Sequence, residues 1–253
     1  MTATSVGRIT ETDGYDTIHK FGRSTVGTSF VPVCFPVTTD GAVFRTPTPS
    51  NAVSLRVAAG NADDNPSGSG ARSIVANVVK KTGQRVDVAI ATNGTSAGTE
   101  TIDDVIRINR FFVGNLDSSG GYIGGSGTYA SQTTGSHAGD IELQTTTGTN
   151  WALIDSTDFP RGQSEIGCFS SGKDEVMYIT DFSFTTDSSK TVQFLFFQRP
   201  NFLIETAPYP AMRTLFPKQN REASDGGQFQ PALGPFPPNT DIGFMAKVNS
   251  GTT

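Results

Sequence analysis

The stretch RSIVANVVKKTGQRVDVAIAT, residues 72–92, decides the fold class. Two runs rich in β-branched residues flank a short turn at Lys81-Thr82-Gly83. In the second run Val86, Val88 and Ile90 alternate with other residues, so they share one face of an extended chain. Two such runs around a glycine turn are typical of a β-hairpin. The stretch therefore predicts antiparallel β-structure.

Other segments repeat this pattern on both sides of the hairpin. The sequence predicts strands in the following segments: AVSLRVAA at 52–59, DDVIRINRFFVGN at 103–115 (with a helical start at 101–104 as an alternative), DIELQTTTGTNWALI at 140–154 as a hairpin around Gly148, and TDIGFMAKVNS at 240–250. The run Phe194-Leu195-Phe196-Phe197 is apolar on both faces, which is typical of a strand buried on both sides. EVMYITDFSF, residues 175–184, is expected to pair with SEIGCFS before it and with the strand after it.

Composition supports the same class. Charged residues make up 17% of the chain and there are 28 glycines, which favours short strands and tight turns. The sequence thus predicts an all-β protein, an antiparallel β-sandwich or jelly roll in one or two lobes, with long Gly- and Pro-rich loops.

The chain divides into segments of different character. We expect an N-terminal arm at 1–29 that orders only against a partner, and a first β lobe at 30–117. A Gly/Ser-rich loop follows at 118–139, and a second β lobe occupies 140–253. Within the second lobe, residues 206–239 form a long proline-rich loop, and such loops are usually functional or lie against a partner.

Charge and hydropathy exclude several function classes. The net charge is −5 and the basic residues are scattered, which does not fit a nucleic-acid footprint. No apolar run approaches the ~20 residues of a membrane span, and the first residues carry no secretory signal pattern.

The two cysteines, Cys34 and Cys168, lie in apolar contexts and are expected to be buried free thiols, with a disulfide as the alternative.

Three short motifs resemble active-site signatures. GSGTYA at 125–130 has dinucleotide-loop spacing but lacks the strand before it and the helix after it. GCFSSGKD at 167–174 is close to a phosphate-binding loop, yet it ends in Asp174 and precedes a β-branched, aromatic segment. GTSAG at 94–98 has the spacing of a serine-hydrolase elbow, with His137 as the one downstream histidine. Turn chemistry explains all three, so no catalytic residue, cofactor or metal site is predicted.

Two further constellations are weak. Asn61, Asp63 and Asn65 alternate as in a calcium loop, but the glycine and the bidentate glutamate of such loops are missing. Asp155 and Asp158 are two nearby carboxylates of the kind that a glycosidase pairs. A solvated acidic loop and ordinary surface carboxylates are the expected alternatives.

The order of several segments resembles that of structural proteins from tailed, often marine, bacteriophages. The segments that carry this resemblance are IHKFGR (18–23), GSGARSIVANVV (68–79), GQRVDVAIATNGT (83–95), IDDVIRINRFFVGN (102–115), SHAGDIEL (136–143), PRGQSEIGCFSSGKDEVMYI (160–179) and PPNTDIGFMAKV (237–248). The resemblance spans roughly residues 18–248 and implies a component of the virion, made in the host cytoplasm.

Together, the resemblance and the lack of a catalytic motif predict a non-enzymatic virion protein. We expect a head decoration or cement protein that binds the major capsid protein and associates with itself, as a homotrimer. Its contact surfaces are expected in the arm and in the proline-rich loop. The alternative is a tail, neck or fibre component, acting as an adaptor or as a host-glycan binder through Trp151, Tyr122 or Tyr129. No nucleic-acid or membrane partner is expected.

Overall fold

The computed structural model describes residues 18–35, 49–127, 136–157, 162–186, 191–215, 219–221 and 225–249. The strands are β1 Val31–Pro32, β2 Cys34–Phe35, β3 Val53–Ala59, β4 Ser73–Lys80, β5 Arg85–Ala91, β6 Ile102–Val113, β7 Asn115–Leu116, β8 Tyr122–Ile123, β9 Ile141–Thr145, β10 Asn150–Ile154, β11 Glu165–Ile166, β12 Phe169–Ser170, β13 Met177–Phe184, β14 Val192–Arg199, β15 Arg213–Thr214, β16 Gln219–Arg221, β17 Asp225–Phe236 and β18 Asp241–Val248. In this part of the chain the one helical element is a 3₁₀ turn at Pro49–Asn51, so the predicted all-β, antiparallel fold is confirmed.

One six-stranded sheet, which we call sheet I, has the order β10-β9-β3-β6-β4-β5. The predicted hairpin is its β4–β5 edge, where Asn77 lies opposite Asp87 and Gly83 adopts φ +79° in the turn. The hairpin around Gly148 forms β9 and β10 at the other edge. The alternative of a helical start at 101–104 is wrong, because β6 already begins at Ile102 and pairs along its length with buried neighbours.

The second six-stranded sheet, sheet II, has the order β1-β18-β14-β15, with β12 also pairing β18 and β16 also pairing β14. β14 contains the Phe194–Phe197 run predicted to be buried on both faces. Phe197 packs into the core between the sheets, and Phe194 packs into a separate aromatic cluster. β1 contains Pro32 and lies at the edge of the sheet, where a residue without an N–H is tolerated.

β13 and β17 form a separate two-stranded sheet, which we call the ribbon. The expectation that β13 pairs with its sequence neighbours is therefore wrong, because alternation predicts which face of a strand is buried but not its partner. Part of the proline-rich segment 206–239 is regular structure where a loop was expected, because Asp225–Phe236 is a strand. Pro231 and Pro235 both lie where the register between β13 and β17 shifts, and such irregularities accommodate a residue without an N–H.

The two six-stranded sheets share one apolar core. Buried Leu55, Ile74 and Phe111 of sheet I belong to the same cluster as Phe197 of sheet II. Both sheets contain strands from before and after the segment 118–139, since β9 pairs β3 and β1 pairs β18. Strand pairing therefore does not separate a lobe at 30–117 from a lobe at 140–253, and neither two lobes nor jelly-roll order is confirmed.

The second half of the predicted arm packs on its own chain. Gly22 is buried, and a Cβ added to it would lie 2.2 Å from both the Gly167 nitrogen and the Val33 oxygen. Arg23 forms ion pairs with Asp155, at 3.0 Å, and Glu165, at 2.7 Å. The expectation of an arm that orders only against a partner is thus wrong for residues 18–29, because glycine allows this close backbone approach. Residues 1–17 lie outside the described residues.

Candidate interaction surface

Three of the loops singled out in the sequence meet at the buried carboxylate of Asp64. Its Oδ1 accepts hydrogen bonds from the backbone nitrogens of Ala71 and Ala138, at 2.8 and 2.9 Å, and its Oδ2 accepts one from Gly139 at 2.9 Å. The Asp64 carbonyl also accepts from the nitrogen of Gly94 at 2.7 Å. Asp64 therefore organises this loop cluster from within, and its side chain is fully buried.

The structure does not join Ser96 to His137. Ser96 is exposed and donates its backbone N–H to the carbonyl of Asn93, whereas His137 is buried and its Nε2 lies 3.1 Å from the carbonyl of Asp155. The two side chains share no hydrogen bond. The carbonyl partner requires Nε2 to carry the proton, so this histidine is oriented towards a backbone group and not towards a serine.

The backbone of the other two motifs is hydrogen-bonded within the chain. Gly127 donates to the Gly70 carbonyl, and a Cβ added at Gly127 would lie 2.1 Å from the Gly68 carbonyl oxygen. Residues 128–130 of that motif lie outside the described residues. In the second motif the Lys173 nitrogen donates to the Gly83 carbonyl, and the chain continues into β13. A strand in place of a helix removes the N-terminal dipole that a phosphate loop uses.

The oxygens expected to resemble calcium ligands are used inside their own loop. The Asn61 side-chain oxygen accepts from the Asp63 nitrogen, and that of Asn65 accepts from the nitrogen and hydroxyl of Ser67. Asp155 pairs with Arg23, and its proposed glycosidase partner Asp158 lies outside the described residues. Within the described ranges, no three His, Cys, Asp or Glu side chains are grouped so that they could hold a metal.

A buried charge cluster connects the two sheets. Arg107 of β6 donates two 2.8 Å hydrogen bonds to Asp241 of β18, and both side chains are fully buried. Arg199 and the hydroxyl of Ser170 also donate to this carboxylate, and the Arg107 guanidinium lies over the ring of Phe202. Burial lowers the pKa of Arg107, and Asp241 opposes that shift. With three donors on the buried Asp241 carboxylate, this geometry is that of a structural link between the two sheets.

Tyr122 lies at an exposed position beside sheet I. Its ring packs edge-on against Phe112, with centroids 5.2 Å apart, and its hydroxyl donates to Asp87 at 2.8 Å. Arg110 stacks on the same Phe112 ring at 4.1 Å. Burial and, after it, the hydrogen bond to Asp87 raise the pKa of Tyr122 to about 12. Of the three aromatics considered for glycans, Trp151 is buried and Tyr129 lies outside the described residues.

The start of the ribbon presents a second exposed surface, formed by Tyr178 of β13 and by Val176, which directly precedes this strand. These side chains are 54% and 55% exposed, more than most large apolar residues of the described chain. In the first half of β13 the exposed residues Tyr178 and Thr180 alternate with the less exposed Met177 and Ile179, and the exposed Asp181 follows them. Tyr178 lies against Gly234, where an added Cβ would come within 3.1 Å of the ring. We call this face the ribbon face.

An aromatic cluster at the Phe184 end of β13 holds the ribbon in place. Phe182 contacts Phe229 and Phe244, and Phe184 stacks on Phe194 of sheet II with ring centroids 4.2 Å apart. A two-stranded ribbon is marginally stable alone, so this packing fixes its position. The ribbon face is thus an exposed apolar surface on a well-anchored element, which is a suitable geometry for binding another protein.

Comparison with known proteins gives no relative to guide this choice: no family model, no curated protein and no solved structure matches the chain. In the described part of the chain there is no helix of the length and hydropathy needed to cross a membrane.

Sequence reasoning missed the two carboxylates that organise the molecule, Asp64 and Asp241. One signal was present, because Arg107 interrupts the apolar run of β6 between Ile106 and Ile108. An arginine inside a central strand is rarely buried without a partner. The sequence predicts such a partner but does not identify it, since Asp241 lies far along the chain.

Proposed function

We propose that this protein is a structural, non-enzymatic component of a tailed-bacteriophage particle, and specifically a head decoration or cement protein. The partner is the major capsid protein, and the protein associates with itself as a homotrimer. The resemblance of residues 18–248 to phage structural proteins motivates the class. The ribbon face is the observation that supports an adhesive role for this chain.

The chemistry of the ribbon face suits protein binding. Tyrosine is enriched among residues that dominate binding energy, because it buries a large area and loses few rotamers. Val176 and Tyr178 are adjacent to a strand of the proline-rich segment, which the sequence marked as a contact region. Covering this face and its surroundings would contribute to the ~1,600 Å² that a specific interface buries.

The test is reconstitution of the particle with purified protein. Capsids lacking the protein are titrated with the wild type and with a Val176→Ser/Tyr178→Ser variant, and bound protein is quantified. Two truncated anchors should weaken binding by roughly 30- to 150-fold, since each costs about 1–1.5 kcal/mol. Thr180→Ala, on the same face, is the matched control and should bind as the wild type does. Equal occupancy for all three proteins would contradict the role of the ribbon face.

Location is tested separately with gold-labelled antibody on intact particles. Label over the head supports decoration, and label confined to the tail supports the alternative component. Absence of label from intact and disrupted particles would reject a virion role altogether.

The observation that favours the alternative is Tyr122. An exposed ring beside a carboxylate and an arginine is a chemically reasonable surface for a host glycan. A Tyr122→Ala variant should then lose glycan binding while it keeps its place in the particle. A glycan array without a wild-type signal would remove this alternative.

A further inference from the structure

The two cysteine thiols of this chain face each other inside the core. Cys34 lies on β2 and Cys168 follows β11, and these strands pair with Cys34 opposite Ile166. The thiol of Cys34 donates to the sulfur of Cys168, with 3.8 Å between the two Sγ atoms. Both side chains are buried, and both are free thiols as the sequence predicts. The two sulfurs are therefore already in contact, and forming a disulfide requires them to approach each other to about 2.05 Å.

The surrounding backbone makes room for this contact. A Cβ added at Gly243 of β18 would lie 2.4 Å from the Cys168 sulfur, so glycine at that position leaves space for the thiol. The Gly167 nitrogen donates to the Val33 carbonyl at 2.9 Å, which fixes the two segments side by side. The sequence has two cysteines, so each has one possible partner within the chain.

A cation lies next to the pair. The Lys20 ammonium donates to the Asn109 carbonyl and acts electrostatically on both sulfurs. Burial raises the pKa of Cys168 well above its usual value, and Lys20 opposes that shift. A neighbouring ammonium favours the thiolate, which is the form that attacks a disulfide. Burial keeps Cys168 protonated near neutral pH, so reaction in the folded protein should be slow.

We infer that Cys34 and Cys168 form an intramolecular disulfide when the chain folds in the presence of a small-molecule disulfide of the glutathione class. One cysteine thiolate attacks oxidised glutathione, forming a mixed disulfide and releasing one glutathione thiolate. The second cysteine thiolate attacks the protein sulfur of that mixed disulfide and releases the other glutathione. Each glutathione thiolate takes one of the two cysteine protons, so two thiols are oxidised as one disulfide is reduced.

The experiment refolds the full chain with either oxidised or reduced glutathione, which removes limited access to the folded core as an obstacle. Trypsin then releases Cys34 in peptide 24–45 and Cys168 in peptide 162–173. The oxidised sample should give these two peptides as one cross-linked species that reduction separates. Its Tm should exceed that of the reduced sample by roughly 5–15 °C, because the bond closes a loop between positions 134 residues apart.

Controls separate this inference from other thiol chemistry. Cys34→Ser and Cys34→Ala should each give no cross-link and no redox dependence of Tm. Glutathione retained on the wild-type cysteines, disulfide-linked dimers, or free thiols after oxidative refolding would each overturn the inference. None of these outcomes depends on the proposed role in a phage particle.

Discussion

Replacing Asp241 by leucine removes the acceptor that two arginines share between the sheets. In the wild type this carboxylate receives hydrogen bonds from Arg107 at 2.8 Å, from Arg199 at 2.9 and 3.1 Å, and from Ser170 at 2.6 Å. Arg199 is partly exposed and can turn to water, but the Arg107 side chain has no exposure. Asp241→Leu therefore leaves one fully buried guanidinium without its counter-ion.

The magnitudes differ between the two partners of the pair. Breaking a buried pair costs about 3–5 kcal/mol when the remaining charge is uncompensated, which is the expectation for Asp241→Leu. Arg107→Met should cost less, about 1–3 kcal/mol, because Asp241 keeps Arg199 and Ser170 as donors. In the double variant no unpaired buried charge remains between these positions. It should be more stable than Asp241→Leu alone by about 2 kcal/mol.

Urea unfolding measures these differences directly. Trp151 is the one tryptophan of the sequence and is 4% exposed, so its fluorescence reports exposure of the core. Midpoints are compared at equal m values for the wild type, both single variants and the double variant. The unpaired, buried Arg107 guanidinium should account for most of the stability lost in Asp241→Leu. A double variant less stable than Asp241→Leu would refute this explanation, and so would an Arg107→Met variant less stable than Asp241→Leu.

Three further predictions concern the other anchored segments. Gly22→Ala should lower the free energy of unfolding by about 1–3 kcal/mol, because the added Cβ would clash with backbone atoms. Gly27→Ala, where an added Cβ meets nothing within 4 Å, should change it by less than about 0.5 kcal/mol. Urea titration of both variants tests this difference. Asp64→Ala should lower the free energy of unfolding by about 3 kcal/mol and speed amide hydrogen exchange at the three backbone N–H groups that donate to its carboxylate. Asp63→Ala, at an exposed neighbouring position, is the control. Equal effects of the two variants would contradict the anchoring role of Asp64. Burial lowers the pKa of Lys20 from 10.5 to about 8, so between these pH values the unfolded chain binds more protons than the folded chain. The free energy of unfolding of the wild type, relative to that of Lys20→Met, should therefore rise from pH 8 to pH 10.5. A difference in urea midpoints that does not change with pH would count against a desolvated ammonium.

Alternation in the sequence was sufficient to predict much of the fold. The 72–92 and 140–154 hairpins are where the pattern placed them, because each is a local structure set by its own turn glycine and apolar face. Strand β17 could not be found in this way. Asp225–Phe236 contains three glycines and two prolines, which have low strand propensity, and pairing with β13 overrides that preference.

The organising residues were harder to predict than the strands. Asp63 and Asp64 are chemically identical neighbours, and the loop geometry alone determines which carboxylate turns inward. Arg107 stands out in its apolar strand, but its partner depends on how sheet II packs on sheet I. The ribbon face depends on pairing between distant segments, so its exposed Tyr178 looks in the sequence like any strand tyrosine.

The pairing of β1 with β18 has a consequence for how the chain is made. Val31 lies opposite Ala246, so this edge of sheet II cannot form until residues near 248 have left the ribosome. Loop closure over such a separation is slow, and until then the unpaired edge of β1 is open to other chains. During most of the synthesis of this chain, β1 therefore has no strand to pair with. Stalled or truncated products should be prone to aggregation for the same reason.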